Sequence, residues 1–159
     1  NFWDNRFGGF FYAQIDSRLL RNEKTYLDYS IPAGNSVAVI NLLKLHLLAE
    51  KNDYFVMAEK TLQSFTLADV PLYNASYYIA LYMFLEGVIL VKILEGKEDI
   101  EEQMIEIYSI KNSRILIHVY RRGDNKPKGL KLINDKITFY VCQKGKCTNF
   151  KMSEILHRL

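Results

Sequence analysis

The fold class is decided by residues 88–93, which read Val-Ile-Leu-Val-Lys-Ile. This short, bounded, β-branched run is typical of a strand that is buried on both faces. The helical spacing of the preceding chain stops near Glu86. We therefore predict a mixed α and β protein with two domains, a helical part over residues 1–86 and a small α/β part over residues 87–159.

Downstream of this run, the pattern predicts a β-α-β unit followed by a third strand. An amphipathic helix begins near Ile100, and residues 114–120 form a second strand that a right-handed crossover would place parallel to the first. The alternation over residues 137–142 predicts the third strand, and Ser153 is a candidate cap for a last helix over residues 154–159. The expected C-terminal unit is a small three-stranded α/β unit.

Upstream of the run, apolar residues recur at helical spacing. Residues 1–33 show no sustained period and predict loop with short structured pieces. Asn35 or Ser36 is a candidate N-cap for the first helix. Helices are predicted over residues 37–50, 54–65 and 72–85. The first is apolar nearly all round, so it expects neighbours on more than one side.

Composition and charge exclude several classes of protein. The 159 residues are 49% apolar and 25% charged, a balance that excludes disorder for most of the chain. The net charge of +3 comes without a basic stripe, so we expect no nucleic-acid partner. There is no apolar run long enough for a transmembrane helix, so no membrane partner is expected. Two cysteines in a chain of this length favour a cytoplasmic location. Because the chain opens on Asn1 rather than Met, we expect a piece of a longer protein.

The usual catalytic signatures are absent from the sequence. There is no phosphate-binding or dinucleotide-binding glycine motif, no zinc-protease motif and no nucleophile elbow. The three histidines lie far apart and none has carboxylates or cysteines at metal-ligand spacing. We therefore predict no metal and no cofactor, and the sequence identifies no catalytic residue.

Carboxylates and aromatic residues are concentrated in the first part of the chain. Asp4 and Asp28 share this segment with Trp3 and Phe10. Sugar sites combine aromatic platforms with polar side chains, because a pyranose offers both an apolar face and hydroxyl groups. The alternative is that the aromatic rings fill the core around a tight turn at Gly8 and Gly9.

Cys142 and Cys147 flank Gly145, which is a turn residue. Four intervening residues exclude the two-residue spacing of the usual redox motif, but a disulfide across a tight loop is geometrically possible. Neighbouring lysines would lower a thiol pKa. Cys142 and Cys147 are a candidate redox pair, and simple packing is the alternative.

Several motifs together carry a family resemblance. They are Phe2-Trp3-Asp4, Gly8-Gly9-Phe10-Phe11, Asp28, Pro32-Ala33-Gly34-Asn35-Ser36, residues 41–45, and Tyr140-Val141-Cys142 with Cys147. In this order they resemble the C-terminal region of the thioredoxin-domain-containing proteins related to spermatogenesis-associated protein 20. The resemblance covers nearly the whole chain.

In that family a thioredoxin-like domain precedes a toroid of helical hairpins, similar to the six-hairpin glycosidases and the N-acylglucosamine epimerases. The resemblance implies that residues 1–86 are hairpins of an incomplete (α/α) toroid. It also implies a cavity lined by matching loop residues. With the platform residue Trp3 added, the candidate lining is Trp3, Asp4, Gly8, Gly9, Phe10, Asp28, Asn35 and Ser36. The sequence departs from the family pattern at Tyr29, where Gly is common, and at Ala33, where Ser is common.

The resemblance implies carbohydrate binding or isomerisation in the full-length chain. Asp28 and Asn35 would be polar contacts, and Trp3 and Phe10 would be platforms. The 159-residue chain alone is expected to be inactive as an enzyme, because part of a toroid wall cannot assemble an acid/base pair. The alternative is a non-catalytic binding or assembly module. Its partner would be the missing N-terminal part of the same protein or a second copy in a homo-oligomer.

Overall fold

The structure is a computed structural model that describes residues 2–14, 23–65, 67, 70–98 and 100–158. Within these residues it contains five α-helices and one four-stranded sheet, so the mixed α and β class is confirmed. The chain divides into two units, Asn1–Gly87 and Val88–Leu159. Among the described helices, none is both long enough and apolar enough to cross a membrane.

The first unit contains three α-helices and a short 3-10 turn. They are α1 (Gly34–Ala49), α2 (Asn52–Gln63), the 3-10 turn Pro71–Asn74 and α3 (Ala75–Glu86). Helix α1 begins at Gly34, with Ala33 as its N-cap residue. Asn35 and Ser36, the predicted caps, instead lie inside the first turn and are buried. The prediction that Asn35 or Ser36 is the N-cap of this helix was therefore wrong.

Helix α1 packs against both α2 and α3, as its largely apolar circumference predicts. The chain leaves α1 through Glu50, whose φ of 53° is left-handed. The core of this unit combines medium-sized apolar side chains with alanines that let the helices approach closely. Its buried apolar residues on the helices are Val39, Leu42, Leu43, Ala58, Leu62, Ala80 and Met83.

The second unit is a sheet with two helices. Its elements are β1 (Ile89–Leu94), α4 (Glu101–Tyr108), β2 (Ile115–Tyr120), β3 (Thr138–Gln143), β4 (Lys146–Phe150) and α5 (Met152–Arg158). The strand order is β2-β1-β3-β4. Strands β1 and β2 are parallel, and β3 is antiparallel to both β1 and β4. The predicted last residue of α5, Leu159, lies outside the described residues.

The predicted count of three strands was wrong, because β4 is a fourth. Its first four residues, Lys-Cys-Thr-Asn, are exposed at one edge of the sheet. An edge strand of this kind carries no apolar alternation, so the sequence pattern missed it.

One face of the sheet holds the core of the second unit. Val91 and Ile93 of β1 pack there with Phe139 of β3. Helices α4 and α5 cover this face through Ile107 and Ile155. All six residues of β1 are buried, and five of them are apolar, as expected of a central strand; the exception is Lys92.

Candidate functional site

A cleft of about 590 Å³ lies in the first unit, at the N-terminal end of α1. Its lining consists of Phe2, Trp3, Phe10, Phe11, Tyr12, Thr25, Gly34, Asn35 and Met57. More than half of these residues are aromatic. Of the predicted cavity residues, Trp3, Phe10 and Asn35 line the cleft, whereas Asp4, Gly8, Gly9, Asp28 and Ser36 do not.

A tight loop joins the two central rings of the cleft. Trp3 and Phe10 form an antiparallel bridge, and their rings meet edge to face with centroids 5.1 Å apart. The Asp4 N–H donates to the Gly9 carbonyl at 2.9 Å, and the Gly8 N–H donates to the Asp4 carbonyl at 3.0 Å. The loop therefore holds the aromatic pair in a fixed geometry.

Gly8 lets this loop approach α2 closely. Its φ is 74°, and a Cβ atom at this position would lie 2.6 Å from the carbonyl oxygen of Lys60. Glycine has no Cβ atom, so it alone adopts this left-handed backbone conformation without a clash with Lys60. Gly8 is thus a residue that builds the cleft without lining it.

Asn35 anchors two loops to the start of α1. Its Oδ1 accepts a hydrogen bond from the Phe10 N–H at 2.6 Å. Its Nδ2 donates to the carbonyl oxygens of Phe10 and Thr25, each at 3.0 Å. Both amide hydrogens are committed to these bonds, so Asn35 positions the cleft rather than offering its amide N–H groups to a ligand.

Asp4 organises the loop by an ion pair. Its carboxylate accepts from Lys24 Nζ at 2.7 Å and from the N–H groups of Arg6 and Phe7 at 2.8 and 3.1 Å. The hydrogen bond from Lys24 is the main cause that lowers the pKa of Asp4. Lys24 also donates to the Gly8 carbonyl and lies 5.1 Å from the ring centroid of Phe11.

Asp28 connects the start of α1 to the start of α3. Its carboxylate accepts from the Ala33 N–H at 2.7 Å, from the Ser76 N–H at 2.6 Å and from the Ser76 hydroxyl. Burial alone would raise the pKa of Asp28, but these hydrogen bonds outweigh it and hold the pKa below its usual value. The negative charge at the first turn of α3 also interacts favourably with the helix dipole.

The hydrogen bonds and the ion pair described above limit the chemistry that the site can perform. The lowered pKa values of Asp4 and Asp28 favour their ionised forms, each carboxylate already accepts three hydrogen bonds from the protein itself, and neither lines the cleft. Neither is therefore placed to transfer a proton to a ligand in the cleft. The cleft offers aromatic surface together with a few polar residues in its lining.

Sequence reasoning missed part of this site. Met57 comes from the interior of α2 and gives no signal until the helices are packed. Thr25 and Phe11 lie in loops whose positions depend on Lys24 and Asn35. Ser36, predicted as a cavity residue, is fully buried, and its Oγ has no hydrogen-bond partner in the described part of the chain.

A second feature lies at the tip of the β3–β4 hairpin. Cys142 and Cys147 are register partners and form a disulfide. Whether the pair has a redox function stays a prediction. Among the residues that the structure describes, no three His, Cys, Asp or Glu side chains are grouped so that they could hold a metal ion.

Removing the Asp28 carboxylate should destabilise the first unit. We expect Asp28→Ala to lower the free energy of unfolding by about 3 kcal/mol, because two backbone N–H groups and one hydroxyl lose a charged acceptor. Urea denaturation followed by the fluorescence of Trp3 would measure this change. Asp53→Ala is the matched control. Asp53 is exposed in the first turn of α2, so its loss should cost at most about 0.5 kcal/mol.

The same substitution should alter the pH dependence of stability. Because the pKa of Asp28 is lowered in the folded state, its contribution is present above the unfolded carboxyl pKa of about 3.9. The contribution is lost as the pH falls through the lower folded pKa. We therefore expect acid to destabilise the wild type more steeply than Asp28→Ala. Equal acid dependence in the two proteins would contradict this assignment.

Within the described residues, the cleft and the disulfide are thus two places where chemically distinctive side chains are gathered. The family resemblance and its carbohydrate cavity stay predictions at this point. No protein-family model, no curated protein and no solved structure matches this chain.

Proposed function

We propose that the unit Asn1–Gly87 binds a carbohydrate in the aromatic cleft and does not by itself convert it. The observation that carries this proposal is the combination of an aromatic lining with carboxylates that lie outside the lining and are already hydrogen-bonded within the protein. An aromatic lining without an available acid or base favours recognition over turnover. The volume of about 590 Å³ lies within the usual range for small-ligand sites.

The proposed ligand is a sugar because of the lining chemistry. Pyranose C–H groups pack on the faces of aromatic rings, and hydroxyl groups need polar atoms at the margin. Thr25 and Tyr12 supply hydroxyl groups at the cleft. Tyr12 and Phe2 are 79% and 50% exposed, so their rings are open to a ligand without repacking of the core.

We attribute the helices of this unit to an (α/α) toroid of the family that the motifs resemble. Two features support the attribution. Helices α1 and α2 are consecutive and packed together, and α3 packs on α1. The cleft lies where α1 begins, which is where the resemblance would place a cavity.

Trp3 provides a direct test, since it is the single tryptophan of the chain and lines the cleft. We expect its fluorescence to change in a saturable way when the protein is titrated with N-acetylglucosamine, N-acetylmannosamine or short oligosaccharides. Saturation at millimolar concentrations or below would support the proposal. Absence of any saturable change, together with no heat in calorimetric titration, would overturn it.

Two variants test whether binding uses the exposed rings. Tyr12→Ala and Phe2→Ala should each weaken sugar binding about tenfold, because aromatic contact contributes about 1 kcal/mol or more. Calorimetry is the measurement, with unfolding curves to show that the fold is retained. Tyr108→Ala is the control, because Tyr108 is 67% exposed on α4 and does not line the cleft. Equal affinity in all three variants would contradict a role for the rings.

A further inference from the structure

We propose that the Cys142–Cys147 disulfide is a thiol–disulfide exchange site, with Cys147 as the reacting sulfur and Cys142 as the resolving sulfur. The site lies in the unit Val88–Leu159 and does not depend on the carbohydrate proposal. Three features of the hairpin support the assignment: the unequal exposure of the two cysteines, the positive charge of the hairpin, and the backbone pairing that holds the two strands together in addition to the bond.

The two cysteines differ in access to solvent. Cys142 is buried at 8% exposure and lies in register with Leu90 of the central strand. Cys147 is exposed on the edge strand β4. An attacking thiolate therefore reaches the sulfur of Cys147, and Cys142 is shielded from it.

The charge around the hairpin favours thiolate chemistry. Residues 143–151 contain three lysines and no carboxylate. Lys144 lies in the turn, Lys146 directly precedes Cys147 on β4, and both are exposed. Because side chains alternate along a strand, Lys146 lies with Val141 and Thr148 on the face opposite to Cys147, so Lys144 is the better placed of the two charges. Nearby positive charge stabilises a thiolate and lowers the thiol pKa. The reduced form of Cys147 is thus disposed to act as a nucleophile.

The hairpin has structural support besides the bond. Strands β3 and β4 are paired at five positions from Phe139↔Phe150 to Gln143↔Lys146. The connecting turn is Lys144-Gly145, and both residues have positive φ, as the favoured two-residue hairpin turns require. The bond closes a very short loop, for which the chain-entropy model gives the smallest stabilisation.

In the exchange, a dithiol transfers two electrons to the Cys142–Cys147 disulfide. A thiolate of the dithiol attacks Sγ of Cys147, a mixed disulfide forms there, and Cys142 leaves as a thiolate that takes up a proton. The second thiol of the dithiol then attacks the dithiol's first sulfur, which is bonded to Sγ of Cys147 in the mixed disulfide. Cys147 leaves as a thiolate, and the dithiol ends as an internal disulfide. The reverse sequence oxidises the protein pair, with Cys142 resolving the mixed disulfide on Cys147.

The first test measures reduction of the folded 159-residue protein by dithiothreitol, with alkylation and intact mass as the readout. We expect reduction in the native state, at a rate that subdenaturing urea does not change, and a melting temperature lowered by only a few degrees after reduction. Reduction whose rate rises with urea in parallel with the unfolding rate would show a purely structural bond and overturn the proposal.

The second test separates the roles of the two sulfurs. In Cys142→Ser the remaining Cys147 should react with an aromatic disulfide reagent at least about tenfold faster than Cys142 does in Cys147→Ser, because access controls the rate. Adding Lys144→Gln and Lys146→Gln to Cys142→Ser should move the pH–rate profile of Cys147 to higher pH. Circular dichroism would verify that each variant is folded. Equal rates for the two single variants, or an unmoved profile, would contradict the assigned roles.

Discussion

Gly8→Ala should destabilise the first unit by about 3 kcal/mol, the largest effect expected of any single methyl group added near the cleft. Two costs add. An alanine at a φ of 74° is strained, and its Cβ would lie within 3 Å of the carbonyl oxygen, the carbonyl carbon and the Cβ of Lys60. Backbone atoms cannot move aside as a side chain can. We also expect the loop to leave α2, so that the Trp3–Phe10 pair loses its fixed position.

Urea denaturation followed by Trp3 fluorescence would measure the effect of Gly8→Ala, and sugar titration would report on the cleft. Gly123→Ala is the control, because Gly123 also has a positive φ, of 97°, but a Cβ there would meet nothing within 4 Å. Since Gly123 lies in the second unit, its effect is followed by circular dichroism. Its cost should be limited to backbone strain, about 1 kcal/mol. If both alanine variants were destabilised equally, close contact with Lys60 would not be the reason for glycine at position 8.

Ile93→Ala should destabilise the second unit by about 4 kcal/mol. Ile93 is fully buried in the central strand, where it lies in register with Val119 and Phe139. Its truncation removes apolar contact and leaves a cavity that neighbours from two strands and two helices cannot close. Chemical denaturation followed by circular dichroism would measure the loss.

The control for this substitution is Ile105→Ala. Ile105 is 72% exposed on α4, so the same change of side chain should alter stability by less than about 0.5 kcal/mol. The comparison holds residue type constant and varies burial alone. A loss at position 93 no larger than at position 105 would mean that β1 is not the centre of this core.

The sequence predicted those elements whose pattern reflects burial. Strand β1 was predicted because a central strand buried on both faces has a mainly apolar, β-branched sequence, here interrupted by Lys92 alone. Helix α1 was predicted from apolar residues at helical spacing, and its largely apolar circumference reflects packing on both α2 and α3. Strand β4 could not be recognised, since pairing with β3 through backbone groups places few demands on its side chains.

The sequence indicated which kinds of residue gather near Trp3, but it did not reveal the hydrogen-bond partners of the polar residues. The aromatic residues near Trp3 do line a cleft. Asp28, predicted as a ligand contact, instead accepts from Ser76, which lies 48 residues further along the chain. Such a partner is created by tertiary packing, so no local spacing could reveal it. The contribution of Met57 from α2 was hidden for the same reason.

The two edges of the sheet have unequal consequences for aggregation. Strand β4 presents mainly polar residues with a lysine at its start, a composition that discourages pairing with another chain. Strand β2, at the opposite edge, reads Ile-Leu-Ile-His-Val-Tyr and has no carboxylate, proline or glycine. Segments of this length and composition form intermolecular sheets when they become exposed. One edge is thus protected by its own residues, whereas the residues of β2 at the other edge provide no such protection.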